Sequence, residues 1–255
     1  MGLVFSGMMN FDLSPVLADW EYEPGKVMVR RFTGEDGVDK LQLRVDLGIL
    51  QMSVEGRPDG KRPHGRESLF EYHKERIHDG NIEDFSLSDE EVSALQQEAI
   101  QYYHRYICFF ELNDHEGVVR DTERNLEVFD FIESFAISDE ALNVLVNLRP
   151  QLVMMNVRSR SALLMDSERF DEALHVVQEG IEDIEDLFDE DSSDVLDNLA
   201  ELRFLRNLES EVAARRPLSE RERLENALNA AVEREDYEMA AQMRDAIFRL
   251  EGRAP

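Results

Sequence analysis

Apolar and polar residues alternate most clearly over Leu41-Gln42-Leu43-Arg44-Val45-Asp46-Leu47, a period of two that predicts a strand. Leu41, Leu43, Val45 and Leu47 fall on one face and Gln42, Arg44 and Asp46 on the other. Gly48 interrupts the run and Ile49-Leu50-Gln51-Met52-Ser53-Val54 resumes it, which predicts a bent strand or a second strand after a bulge. Upstream, Val27-Met28-Val29-Arg30-Arg31-Phe32 is a short β-rich run. Thr33-Gly34-Glu35-Asp36-Gly37 follows it with turn chemistry, its glycines able to take positive φ. A small antiparallel sheet within residues 1–85 is the expectation.

The period then changes. A helix is expected over residues 67–77, and from Ser88 to Arg215 apolar residues recur at helical spacing almost throughout. Ser88-Asp89-Glu90-Glu91 is a capping-box pattern, and Val92, Leu95, Ala99, Tyr102, Tyr106 and Phe109 follow it. Asn113-Asp114 breaks that helix, and Val118, Leu126, Phe129 and Ile132 mark the next. Ser138-Asp139 starts another through Leu142, Leu145 and Leu148, which Pro150 is expected to kink or break before the pattern resumes at Leu152 and runs to Leu164. Phe170 to Ile184 forms a further helix, and one more is predicted over residues 195–212. Beyond Pro217, Ser219-Glu220-Arg221-Glu222 is a second capping box. Leu224, Ala227, Leu228, Ala231 and Val232 share one side of the helix it starts, Glu233-Arg234-Glu235-Asp236 connects, and a last helix begins at Tyr237.

These elements make a mainly α chain, α+β overall, in three parts: a small β-containing region over residues 1–85, a helical array over 86–215, and a helical hairpin over 217–251. The hairpin's second helix carries two adjoining stripes. Ala240, Met243, Ile247 and Leu250 form one; Tyr237, Ala241, Arg244 and Phe248 form the other. Two short helices can bury only one stripe each against one another, and their core is below the size at which a domain is normally stable alone. The second stripe therefore needs a further surface: a partner protein, a second copy of the chain, or the preceding helices.

Two families are resembled. The run from Leu224 to Ile247, with its leucine and alanine ladder, the Glu235-Asp236-Tyr237 turn, the Ala240-Ala241 pair and the Arg244-Asp245-Ala246-Ile247 ending, is similar to the UvrB/UvrC (UVR) motif. That resemblance implies a protein-binding module. In the family the module joins the excision-repair proteins UvrB and UvrC, and it occurs in an activator of a bacterial protein-arginine kinase and in Clp protease adaptors. It implies no helicase or nuclease activity, because the catalytic domains of UvrB and UvrC are absent. Within the array, Ser161 to Ala173 followed by Val177 and Gly180 resembles a tetratricopeptide (TPR) unit, and Tyr102 to Arg124 with Gly117 is a weaker match. The usual tryptophan of the first helix is missing from both, and generic bundle packing is the alternative.

Charge narrows the choice of partners. Against 28 Lys and Arg stand 56 Asp and Glu, a formal net charge of −28. Such a surface repels nucleic acid and anionic membranes, so neither is expected as a direct partner. Residues 170–202 hold no Lys or Arg, and Glu182-Asp183, Glu185-Asp186 and Asp189-Glu190-Asp191 are densest, a solvated face or a docking surface for a basic partner. No stretch has the roughly 18 apolar residues of a membrane span. Met1 to Phe11 lacks the basic start of a signal peptide, and the single cysteine forbids a disulfide within one chain, so the cytoplasm is expected.

The remaining candidate chemistry is sparse. Gly56-Arg57-Pro58-Asp59-Gly60-Lys61 falls one residue short of a phosphate loop, and Arg62 stands where Ser or Thr is needed. Arg57, Lys61, Arg62, His64 and Arg66 remain a candidate contact for an anion or an acidic partner. His64, His73, His78, His104, His115 and His175 show no zinc-ligand spacing, and Cys108 lies in an apolar run. No catalytic, cofactor or metal residues are assigned. The expected function is a non-enzymatic adaptor or regulatory scaffold binding through Tyr237, Ala240, Ala241, Arg244, Ile247 and Phe248. An excision-repair accessory factor and a ligand-binding protein or enzyme with a site around Arg44, Asp46 and residues 57–66 are the alternatives. A homodimer is a further option.

Overall fold

The computed structural model describes residues 12–80, 85–137, 139–188 and 193–250. Expectations at residues 1–11, at Ser138 and at Asp189-Glu190-Asp191, and for the side chains of Leu142 and Leu145, lie outside what is described. Ten α-helices and one three-stranded antiparallel sheet make up the described residues, a mainly α fold with a small N-terminal β region. In chain order these are α1 Ser14–Leu17, β1 Met28–Thr33, β2 Asp39–Val45, β3 Gly48–Ser53, α2 Leu69–Asp79, α3 Asp89–Glu111, α4 His115–Phe135, α5 Asp139–Asp166, α6 Phe170–Glu185, α7 Ser193–Asn198, α8 Ala200–Arg215, α9 Glu220–Glu233 and α10 Tyr237–Leu250. The described residues fall into two compact units, divided between Glu209 and Ser210.

In the first unit β2 is the central strand, pairing Leu43 with Val29 of β1 and with Leu50 of β3. Its Leu41 and Leu43 enter one core shared with Leu95 and Phe109 of α3, Val128 and Ile132 of α4, and Leu152 and Met155 of α5. The other face of β2 is covered as well. Gln42 is buried between Arg30 (2.7 Å) and Gln51 (2.8 Å), and Arg44 donates to the carbonyls of Trp20 (2.9 Å) and Gly48 (3.0 Å). The alternation expected from Leu41 to Leu47 stops short. Val45 pairs with Gly48 across a two-residue turn, so Leu47 sits at the turn tip, 90% exposed, and Gly48 begins a new strand without a bulge.

α5 runs from Asp139 to Asp166 with the buried Pro150 in its interior. One other expectation needs correction. The single helix expected over residues 195–212 is two, α7 and α8, parted at Leu199. Asn198 Nδ2 takes the carbonyl of Asp194 (2.7 Å), a side-chain bond that competes with helix continuation.

One turn geometry recurs three times. Asn113, Glu168 and Glu235 have φ of 57°, 58° and 57°. Each N–H reaches three residues back, to Phe110, Met165 and Val232, and the next N–H reaches five back, to Phe109, Leu164 and Ala231. This is the Schellman closure of a helix, and the residue after it starts the next one. It joins α3 to α4, α5 to α6 and α9 to α10. Asp114 and Asp236 also cap their helices through their side chains, to Gly117 N (3.0 Å) and Met239 N (3.1 Å).

Both glycines named in the TPR-like segments sit at close helix approaches. A Cβ on Gly117 would lie 2.7 Å from the Phe109 ring, and one on Gly180 would lie 2.3 Å from Val157 Cγ2. Gly180→Ala should therefore destabilise the protein by about 1–3 kcal/mol, instead of giving the ~1 kcal/mol gain of an open helix site. Urea titration checks this, and adding Val157→Ala should recover part of the loss.

Candidate protein-interaction site

The second unit is thin. Within its hairpin only Ala231 on α9 and Ala240 on α10 are buried, and two alanines bury little apolar area. Local chemistry supplies much of what holds the ends. Ser219 and Glu222 form the reciprocal cap expected of them (2.8 and 3.2 Å), and Arg216 pairs with Glu222. Leu224, Ala227, Leu228, Met243, Ile247 and Phe248 are half-buried.

All six residues expected to bind a partner lie on α10, and they divide. Ala240 is buried and unavailable. Ile247 is half-buried on the inward stripe with Met243. Tyr237 is 70% exposed and Arg244 is exposed, paired with its neighbour Asp245 (2.9 Å), while Ala241 and Phe248 beside them are half-buried. Val232, Met239 and Leu250 add to the apolar surface left on this hairpin.

The basic segment of residues 57–66 is partly paired within the protein. Arg57 is drawn inward to Glu98 (3.0 Å), His64 stacks on Tyr72 with centroids 4.1 Å apart, and Arg66 pairs with Glu75. Lys61 and Arg62 remain exposed, beside an open cavity of about 560 Å³ that Asp36, Glu55 and Glu67 also line. Arg44 is held by the carbonyls of Trp20 and Gly48, whereas Arg57 pairs with Glu98.

Sequence reasoning missed the buried ionic network at the junction of sheet and helices. Arg105 grips Asp121 with two bonds, 2.7 and 2.8 Å, and donates to the carbonyls of Ser53 (3.0 Å) and Gly56 (2.7 Å). Glu98, fully buried, accepts from Leu69 N (2.8 Å) and Phe70 N (3.3 Å) at the start of α2 and pairs with Arg124 and Arg57. The carboxylate thereby supplies the negative charge that the N-terminus of α2 favours. The signal was present: Glu98 and Arg105 fall on the same helical stripe as Leu95, Tyr102 and Phe109, and charge on an apolar stripe calls for a buried partner.

An apolar groove of about 420 Å³ was also not foreseen. Ala99, Ile100 and Tyr103 of α3, Phe129 of α4, and Leu148 and Leu152 of α5 line it. The acidic residues of α6 are largely solvated; partial burial, then Glu179 and Asp186, raise the Asp183 carboxyl. Burial pushes the Cys108 thiol up to about 12, which suits packing rather than attack. His73 is buried, and its Nδ1 stands 3.0 Å from Arg76; desolvation lowers its pKa. Among the described residues no group of three His, Cys, Asp or Glu could hold a metal ion, and no helix is long and apolar enough to cross a membrane.

No protein-family model matches the chain, and neither a curated protein nor a solved structure matches it.

Proposed function

We propose that this protein is a non-enzymatic adaptor that engages a protein partner through the α9–α10 hairpin. One observation carries the reading: the hairpin leaves Tyr237 70% exposed on a stripe with Ala241, Arg244 and Phe248, next to a core of two alanines. An exposed tyrosine and arginine on a regular helix are the residue types that dominate binding energy at interfaces. Covering them with another protein removes apolar area from water that the hairpin cannot cover itself. The likeness of residues 224–247 to the UVR motif points the same way and makes UvrB/UvrC-like, protein-arginine-kinase-like and Clp-like systems the partners to try first. The net charge of −28 disfavours DNA and RNA in that role.

Affinity capture with the full chain and with a chain ending at residue 216 tests this. Loss of a specific partner on truncation, with the circular-dichroism melt of the remainder preserved, is the expected outcome. An unchanged set of partners would overturn it.

A further inference from the structure

The recurring turn fixes the phase of the helix that follows it, so positions counted from the turn are equivalent in α4, α6 and α10. Counting from Asn113 and Glu235, the stripe of exposed Tyr237 and Arg244 with half-buried Ala241 and Phe248 corresponds to His115, Val119, Thr122 and Leu126 of α4. Two of those four bond directly to α5. His115 Nδ1 is 3.4 Å from Ser159 Oγ, and Thr122 Oγ1 accepts from Asn156 Nδ2 at 3.0 Å. With Arg149 on Asp130 as well, the pairings run in opposite senses along the two helices, so α5 lies antiparallel across this stripe. On α6 the equivalent residues are Phe170, Leu174, Val177 and Ile181, none of them exposed and Val177 fully buried.

Resting on the adaptor reading above, we infer that the α10 stripe is a vacant array position whose occupant is an amphipathic α-helix of a partner protein, laid antiparallel across α10 as α5 lies across α4. The equivalence also specifies the chemistry of that helix. Arg244 stands where Thr122 meets Asn156, and a guanidinium there calls for a carboxylate in place of the amide. Tyr237 stands where His115 meets Ser159, and its larger ring calls for a small residue opposite. Asn156 and Ser159 are three positions apart, so the partner helix carries Asp or Glu and, three residues later, Gly, Ala or Ser, on an otherwise apolar face. A strand or an extended peptide does not match this spacing. A second copy of this highly acidic chain adds like charge to like charge.

Photo-crosslinking in cells from the full-length protein tests the inference, with p-benzoylphenylalanine in place of Tyr237 and, as control, in place of Gln242 on the far side of α10. The expected result is a crosslink from position 237 alone, mapping to a helical segment of a partner with that acid and small-residue spacing. Arg244→Glu should lower its yield by about tenfold, and replacing the partner's acid with arginine should restore it. Crosslinks to a loop or strand, to a second copy of this chain, or equally from both positions would overturn the inference. So would the absence of any crosslink while deletion of residues 217–255 still loses the partner, an outcome that leaves the adaptor reading standing. If the deletion loses no partner, the adaptor reading itself fails.

Discussion

Replacing Arg105 with methionine is expected to cost about 3–5 kcal/mol of stability, the range for removing one member of a buried ion pair. Three acceptors lose their donor at once: the Asp121 carboxylate and the carbonyls of Ser53 and Gly56. Arg120 still reaches Asp121 (3.1 Å), which keeps the loss within that range. A domain's whole stability is roughly 5–15 kcal/mol, so the variant should show a large drop in urea midpoint and a loosened sheet. Arg105→Met combined with Asp121→Leu should be markedly more stable than Arg105→Met alone, because the stranded charge is gone. A double variant as unstable as the single one would show that the guanidinium acts by packing on Tyr102 and Phe109 rather than through charge.

The second large effect is on binding. Tyr237→Ala should weaken partner binding by about 2 kcal/mol or more, roughly 30-fold in Kd, as truncation of an aromatic anchor does. Its effect on folding should stay within about 0.5 kcal/mol, because the side chain is already 70% exposed. Isothermal titration of the captured partner, paired with a thermal melt, separates the two. Phe248→Ala is less clean. That ring is half-buried, so both quantities should move. Equal binding by wild type and Tyr237→Ala would remove the residue from the interface.

How much of this was legible in the sequence depends on what kind of signal each feature leaves. Both serine–glutamate capping boxes, at Ser88 and Ser219, are where the spacing places them, because the motif is a local hydrogen-bond exchange. Helical periodicity located α3, α4, α6, α9 and α10. The Schellman turns were seen only as polar breaks. Two of their left-handed residues are glutamates, and glycine or asparagine is the usual sign of that conformation. Leu47 misled because alternation runs on through a tight turn whose tip has no face.

Spacing alone placed Tyr237, Ala241, Arg244 and Phe248 on one stripe, and helix geometry keeps them there. Ala240, expected as a partner contact although spacing put it on the other stripe, is buried. For the basic run of residues 57–66, composition does not show which charges are already paired. Glu98 and Glu75 take Arg57 and Arg66. The ionic network was hidden for a related reason: Arg105 and Asp121 lie on separate helices, sixteen positions apart, and nothing in a single sequence links them.

Hydrogen exchange of the full chain with and without its captured partner tests the hairpin's role most directly. The account predicts new protection concentrated in the amides of α10, with little change in β1–β3. Protection confined to residues 12–209, with α10 exchanging as freely as before, would contradict it.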